Sequence, residues 1–252
     1  MGAHAVDVLE VDLGPGVRAG FTTRTGGASS APWDSLDLGL HVGDDPDRVL
    51  VNRGRVERWL GGRVAFAAQV HGADVLTLEH EPAPGQVEVG VADALVAARP
   101  GVGLGVLVAD CVPVLLADAV VGVVGVAHAG RQGLERGVLE AAVRALTAAG
   151  ARLEHVRAVV GPAVSGAEYE VPAELRAQVA AAVPETWATT AWGTPALDLP
   201  AGACAVLTRA GVGDVTSIDA CTVRDARFFS HRRATRGGTT TGRFAGVVRS
   251  SG

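Results

Sequence analysis

Between residues 102 and 127 the chain is almost continuously apolar, with acids only at Asp110 and Asp118. "VGLGVLVADC" alternates Val102, Leu104, Val106 and Val108, the period-two pattern of a half-buried strand. "VPVLL" and "VVGVVGVA" follow as short β-rich runs around the turn signal "ADA", predicting a hairpin that turns near Asp118–Val120. Beyond it the period becomes helical: Leu134, Val138, Ala141, Ala142, Ala145, Leu146 and Ala149 share one face, and Gly150 ends it. Upstream, Asp44 or Asp45 caps a helix with Pro46 at its first position, running through Val49, Val56 and Leu60 to Gly61-Gly62. "RVAFAAQV" predicts a strand ending just before His71. Further strands are expected at 156–160, 214–218 and 244–249, with helices near 172–183 and 200–210. Strands in runs with interspersed helices predict an α/β (α+β) fold, a single domain over residues 1–252 with mixed β-sheets flanked by helices.

Composition narrows the chemistry. All 22 basic residues are arginine, which excludes a Schiff base, a lysine nucleophile and a P-loop lysine. A net charge of −5 offers no basic field for nucleic acid. Three cysteines, an odd and sparse set, argue against a disulfide framework and for a reducing compartment. The first residues, "MGAHAVDVLEVDLG", lack the basic and apolar regions of a signal peptide. Asp110 and Asp118 keep the apolar stretch short of a spanning helix. The expected protein is soluble and cytoplasmic, with no membrane partner.

The hairpin places Cys111 opposite residues 126–128, so that Cys111 and His128 meet across paired strands. A thiolate and an imidazole there suit a Cys–His nucleophile pair or two ligands of a zinc ion. They also suit a buried thiol beside a satisfied histidine. His71 in "QVHG" stands in the same strand-end, glycine-following position as His128 in "VAHAG", and would complete a Cys·His₂ set with one coordination position open. His41 and His231 lie in polar, loop-like segments where function concentrates. His80 and His155 read as surface residues, and His4 as part of a mobile terminus. Strand alternation points Asp110 away from the Cys111 face.

The segments "FTTRTGGASSAPWDSLDLGLHVGDDP", "NR" at 52–53, "QVHG", "DALVAARPGVGLGVLVADCVPVLLAD", "GVAHAG", "GPAVSGAEYEV", "DACT", "FFSHRR" and "TGR" occur in order. Together they resemble the YfiH family across nearly the whole chain. Its members also carry the labels laccase-domain, polyphenol oxidase, purine nucleoside phosphorylase and peptidoglycan editing factor. The resemblance implies a zinc ion held by His71, Cys111 and His128. It also implies phosphorolysis of purine nucleosides (adenosine, inosine, methylthioadenosine) and deamination of adenosine. One departure is conspicuous: the family's "HAGWRG" is "HAGRQG" here, with Arg131 and Gln132 in place of tryptophan and arginine.

The leading reading is a zinc enzyme acting on purine nucleosides and phosphate. Arg24, Arg131 and Arg243, whose guanidinium forks bind anions bidentately, and His231, in a loop-like segment, are the candidate phosphate or substrate contacts. Copper-dependent phenol oxidation is disfavoured: the usual axial Met is missing, Met1 being the only methionine, and the remaining histidines are scattered. Editing of cell-wall precursors is the alternative from another class, with Cys111 as nucleophile and His128 as base. A purely structural zinc module is disfavoured because three protein ligands leave zinc unsaturated.

Overall fold

The computed structural model describes residues 5–251; His4 lies outside them. The chain first forms β1 (Val8–Glu10), β2 (Val17–Thr22), α1 (Pro46–Leu60), β3 (Val64–Ala65), β4 (Val75–Leu78), β5 (Ala94–Ala97), β6 (Gly103–Val108), β7 (Val112–Asp118) and β8 (Val123–Ala129). There follow α2 (Arg131–Glu135), α3 (Val138–Ala148), β9 (Arg157–Val160), α4 (Ala173–Ala182), β10 (Trp187–Thr189), β11 (Pro195–Leu197), α5 (Leu199–Arg209), β12 (Asp214–Ser217), α6 (His231–Arg236) and β13 (Phe244–Ser250).

Two mixed sheets form the centre of this single α/β domain. One has the order β1-β2-β13-β6-β3, the other β12-β9-β7-β8-β5-β4, and a small β10-β11 ribbon stands apart. Their facing sides meet in one apolar layer that includes Phe21, Leu104, Val106, Leu115, Val126 and Val248. The far side of the second sheet (Val112, Val114, Leu116, Ala127) packs on Leu139, Leu146, Ala203 and Leu207 of α3 and α5. The far side of the first sheet packs through Phe66, Leu107 and Val247 on Val56 and Leu60 of α1. Both central sheets are therefore covered on two faces, which is why their strands read as unbroken apolar runs. β6 is buried along its whole length, not half-buried as its alternation suggests, because α1 covers the face that alternation assigns to water.

Three further expectations are corrected. The hairpin pairs Val112 with Ala129 and Pro113 with His128, so the register carries Cys111 toward Gly130 instead of residues 126–128. Its turn extends to Gly122, whose φ of 73 is the left-handed conformation that glycine adopts without steric cost. The helix expected from 134 to 149 is two helices, α2 and α3, broken at Gly137 with φ 83. The strand expected through "RVAFAAQV" is regular only at Val64–Ala65. The helix over 46–60 is capped by Asp45, whose carboxylate accepts the Asp47 N–H, and it stops at left-handed Gly61. Among the described residues no helix is long and apolar enough to cross a membrane, and the three cysteines are free thiols.

Topology gathers one end of the sheets. β7 and β5 each run antiparallel to β8, so both start where β8 finishes. β13 pairs antiparallel with β6, Phe244 opposite Val108, which brings Arg243 beside the Ala109–Cys111 turn. Residues 71, 93, 111, 128 and 243, distant in sequence, become neighbours at this end.

Candidate active site

Two aspartates build this end of the molecule. Asp93 precedes β5, is 1% exposed, and uses both carboxylate oxygens. Oδ1 accepts the His71 N–H at 2.9 Å and the His128 ring at Nδ1 at 2.8 Å. Oδ2 accepts the N–H groups of Val70 at 3.1 Å and Gly72 at 2.6 Å. One carboxylate thus holds the His71 turn and orients the His128 imidazole. Burial works against its charge, but the His128 bond and the backbone donors overcome that and hold the carboxyl below its usual range. His71 sits in this turn with φ 58, a strained conformation for a non-glycine residue. Asp110 has φ 92 and performs the second fixation. Its carboxylate accepts the Thr222 hydroxyl at 2.6 Å and the Arg232 N–H at 2.5 Å. The turn carrying Cys111 is thereby tied to the start of α6, where His231 lies.

The outcome is a tight triad. The ligand atoms of His71, Cys111 and His128 all lie within 4.8 Å of one another. Cys111 Sγ is 3.7 Å from His71 Nε2, and the two imidazoles meet edge to face with centroids 4.7 Å apart. Gly130 leaves the room: a Cβ there would stand 2.7 Å from His71 Cδ2 and 3.1 Å from Cys111 Sγ. Cys111 and His128 meet as expected, although through the Asp110 turn and not through directly paired strand positions. Burial opposes ionisation of both. The mutual attraction of thiolate and imidazolium, with the Asp93 bond to His128, wins, drawing the Cys111 thiol down to about 6 and lifting His128 to about 9.

This donor set fits a metal ion. It combines soft sulfur with two imidazoles, and Asp93 on His128 Nδ1 leaves Nε2 free to coordinate, the usual support for a metal-bound histidine. The triad opens onto a cleft of about 400 Å³ that is also lined by His41, Gln69, Glu88, Leu107, His231 and Arg243. Its size suits a small organic ligand. Gln69 is committed to the strand edge, its amide exchanging two bonds of 2.8 Å with the Leu107 backbone. His41 is pushed below its usual pKa by burial and by Arg243, so at neutral pH it offers one donor and one acceptor instead of a charge.

The expected anion contacts separate into two groups. Arg243 and His231 line the cleft with the triad. Arg24 is outside the lining, paired with Asp34 at 3.0 Å and stacked over Phe229. Arg131 is also outside it, paired with Glu135 at 3.5 Å, although its neighbour Gly130 lies against the triad. Of the other histidines, His80 is exposed, while His155 is partly covered with its Nδ1 4.0 Å from Asp118. Asp93 escapes a motif search. Its only signal is a lone acid in the apolar run "VADALVAA".

Arg243 stands on an unusual support. Asp37, fully buried, accepts the N–H groups of Arg243 at 2.7 Å and Gly39 at 3.0 Å through Oδ1, while Oδ2 has no partner. Burial, aided by the nearby Asp44 charge, raises its pKa from 3.8 to about 6. Between those values the native state keeps a proton that the unfolded chain releases, so stability falls as pH rises through about 4 to 6. Asp37→Asn keeps the Oδ1 acceptor and removes that slope. Its stability relative to the parent should rise by about 2–3 kcal/mol between pH 4 and pH 7, read from urea denaturation at each pH. A constant difference would mean that Asp37 does not hold the proton.

The model of the family described as multi-copper polyphenol oxidoreductase laccase matches residues 18–251. This chain belongs to that family. Within the laccase-like family it is 51% identical over 231 residues to a Streptomyces griseus protein named purine nucleoside phosphorylase, covering 90% of this chain and 92% of that one. A Neisseria meningitidis protein of family DUF152 superposes with a TM-score of 0.85 at 34% identity, covering 98% of this chain and all of the other. Bacillus licheniformis YfiH does so with a TM-score of 0.79 at 32% identity over 92% of each chain. The YfiH resemblance read from the motifs is thus shown, and the names of its curated relatives support an enzyme role.

Proposed function

We propose that this laccase-like family member is a zinc-dependent purine nucleoside phosphorylase acting on adenosine, inosine and methylthioadenosine. The observation that carries the reading is one cleft holding a His·Cys·His metal set and, beside it, a guanidinium and imidazoles suited to phosphate. The names of relatives up to 51% identical support the substrate class. Zinc would be held by His71, Cys111 and His128, where it supplies a Lewis acid with an open coordination position. Copper oxidation is disfavoured on the donor set: among the described residues this is the one such cluster, and the axial sulfur of a single-copper site has no Met other than Met1 to supply it.

Phosphorolysis breaks the C1′–N9 bond as a phosphate oxygen bonds to C1′. The purine leaves with the electron pair and takes up a proton. Arg243 binds the phosphate through its forked guanidinium, and His231 and His41 add hydrogen bonds that aim one oxygen at the sugar. The apolar wall of Leu107, Val108 and Ala109 excludes water that would compete with phosphate. Arg131, next to Gly130 but paired with Glu135 outside the cleft lining, is the weaker of the two proposed anion contacts. In Arg243→Ala the KM for phosphate should rise roughly tenfold to hundredfold with zinc content unchanged, in steady-state kinetics at saturating nucleoside. A KM within about twofold of the parent would remove Arg243 from the phosphate site.

Deamination of adenosine at the same metal is the accessory activity of this reading. A second reading has its own observation: without metal, Cys111, His128 and Asp93 stand as nucleophile, base and orienting carboxylate. Editing of cell-wall precursors would use this constellation. Metal content separates the two, because zinc bound to the thiolate blocks it as a nucleophile. Near-stoichiometric zinc supports the phosphorylase.

A further inference from the structure

Glu88 is the one acidic residue lining the cleft. Its carboxylate makes no hydrogen bond or ion pair among the described residues, and its field acts on the neutral His41 imidazole and on the Arg53 guanidinium. The side chain is exposed, but its backbone is fixed. The buried Arg53 guanidinium donates to the carbonyls of Val87 at 2.9 Å and Leu38 at 3.0 Å. The Val89 N–H donates to Phe66 at 2.9 Å, and the Gly90 carbonyl accepts from Ala68 at 2.8 Å. Residues 87–90 are thereby laid along Phe66-Ala67-Ala68, and the last two line the cleft. The same arginine holds the loop that carries His41, so Arg53 sets both lips.

A carboxylate among groups suited to phosphate repels that phosphate unless it receives donors of its own. A purine ribonucleoside brings two vicinal donors, the 2′ and 3′ hydroxyls. An ionised carboxylate is an acceptor with two oxygens, and charge-assisted bonds to such a pair are short and strong.

We propose that Glu88 binds the ribose 2′,3′-diol and makes the protein selective for ribonucleosides over 2′-deoxyribonucleosides. The inference rests on the phosphorylase reading. It turns the sugar so that C1′ faces the Arg243 side of the cleft, with the diol held at the opposite lip. Loss of one hydroxyl exchanges a charge-assisted bond for a bond to water, which places the discrimination in this contact.

The test compares inosine with 2′-deoxyinosine on the metal-loaded protein, by calorimetric binding without phosphate and by turnover with it. The parent should favour inosine roughly tenfold to hundredfold, and the ratio should collapse toward one in Glu88→Ala with metal content unchanged. Equal affinities in the parent, or a preference that survives Glu88→Ala, would overturn the role of Glu88. Ribose-selective binding that Glu88→Ala abolishes, without phosphate-dependent turnover, would uphold the diol site and overturn the phosphorylase reading. Binding of neither nucleoside would overturn both.

Discussion

Cys111→Ala should remove metal and turnover together while the protein stays folded. Cys111 is partly exposed in a turn at the end of the sheets and packs only at the edge of the small Phe228–Phe244 cluster, so the stability cost should be about 1 kcal/mol. The catalytic cost is far larger. With zinc held as proposed, three protein ligands would leave one coordination position open, and the two imidazoles that remain would hold the ion weakly. Loss of several kcal/mol of charge stabilisation corresponds to at least a ~1000-fold fall in turnover. His71→Ala and His128→Ala should behave alike in metal content and rate, with a greater stability cost at the buried His128. Elemental analysis, steady-state rates and circular dichroism on the same preparations check it. A variant that keeps near-parent activity removes that residue from the ligand set.

Asp93→Asn should weaken zinc binding by about 10–100-fold without touching any ligand. Both oxygens of Asp93 are saturated by three backbone N–H groups and the His128 ring. An amide presents a donor where one oxygen accepted, so a buried N–H is left facing N–H, and stability should fall by about 1–3 kcal/mol. Asp93→Ala unpairs all of these donors and should cost more in both respects. Competition with a chromophoric chelator gives the metal affinity, and urea denaturation gives the stability. If Asp93→Asn binds zinc as tightly as the parent, the orientation of His128 and the His71 turn does not depend on this carboxylate.

The architecture was legible where pattern and burial agree. Apolar runs separated by glycine and aspartate announced β6, β7 and β8, and the Asp45-Pro46 cap announced α1. Register was not legible. The expected turn used the residues nearest Asp118, whereas the chain continues to Gly122 because only there does a glycine take the left-handed conformation. The break at Gly137 was hidden for a related reason. Leu134, Val138, Ala142 and Leu146 are all buried, so the apolar face has the same period on both sides of the break. The expected hairpin brought Cys111 to His128 and the shared glycine context brought in His71, and the ordered YfiH motifs singled the three out as a ligand set. Asp93 was not found, since its partners are backbone groups around residue 71 and a ring 35 positions away. The cleft sides formed by Glu88 and Arg243 are invisible in one dimension, because they meet only through β6, paired with β13 on one edge and with β3, beside which residues 87–90 lie, on the other.

The central claim is tested most directly by incubating the purified, zinc-analysed protein with adenosine, with and without phosphate, and separating the products by chromatography. Adenine and a ribose phosphate should form in equal amounts, and only when phosphate is present. Inosine formed at the same rate in both samples, with no adenine, would contradict phosphorolysis in favour of deamination, and no product from a zinc-loaded protein would contradict both.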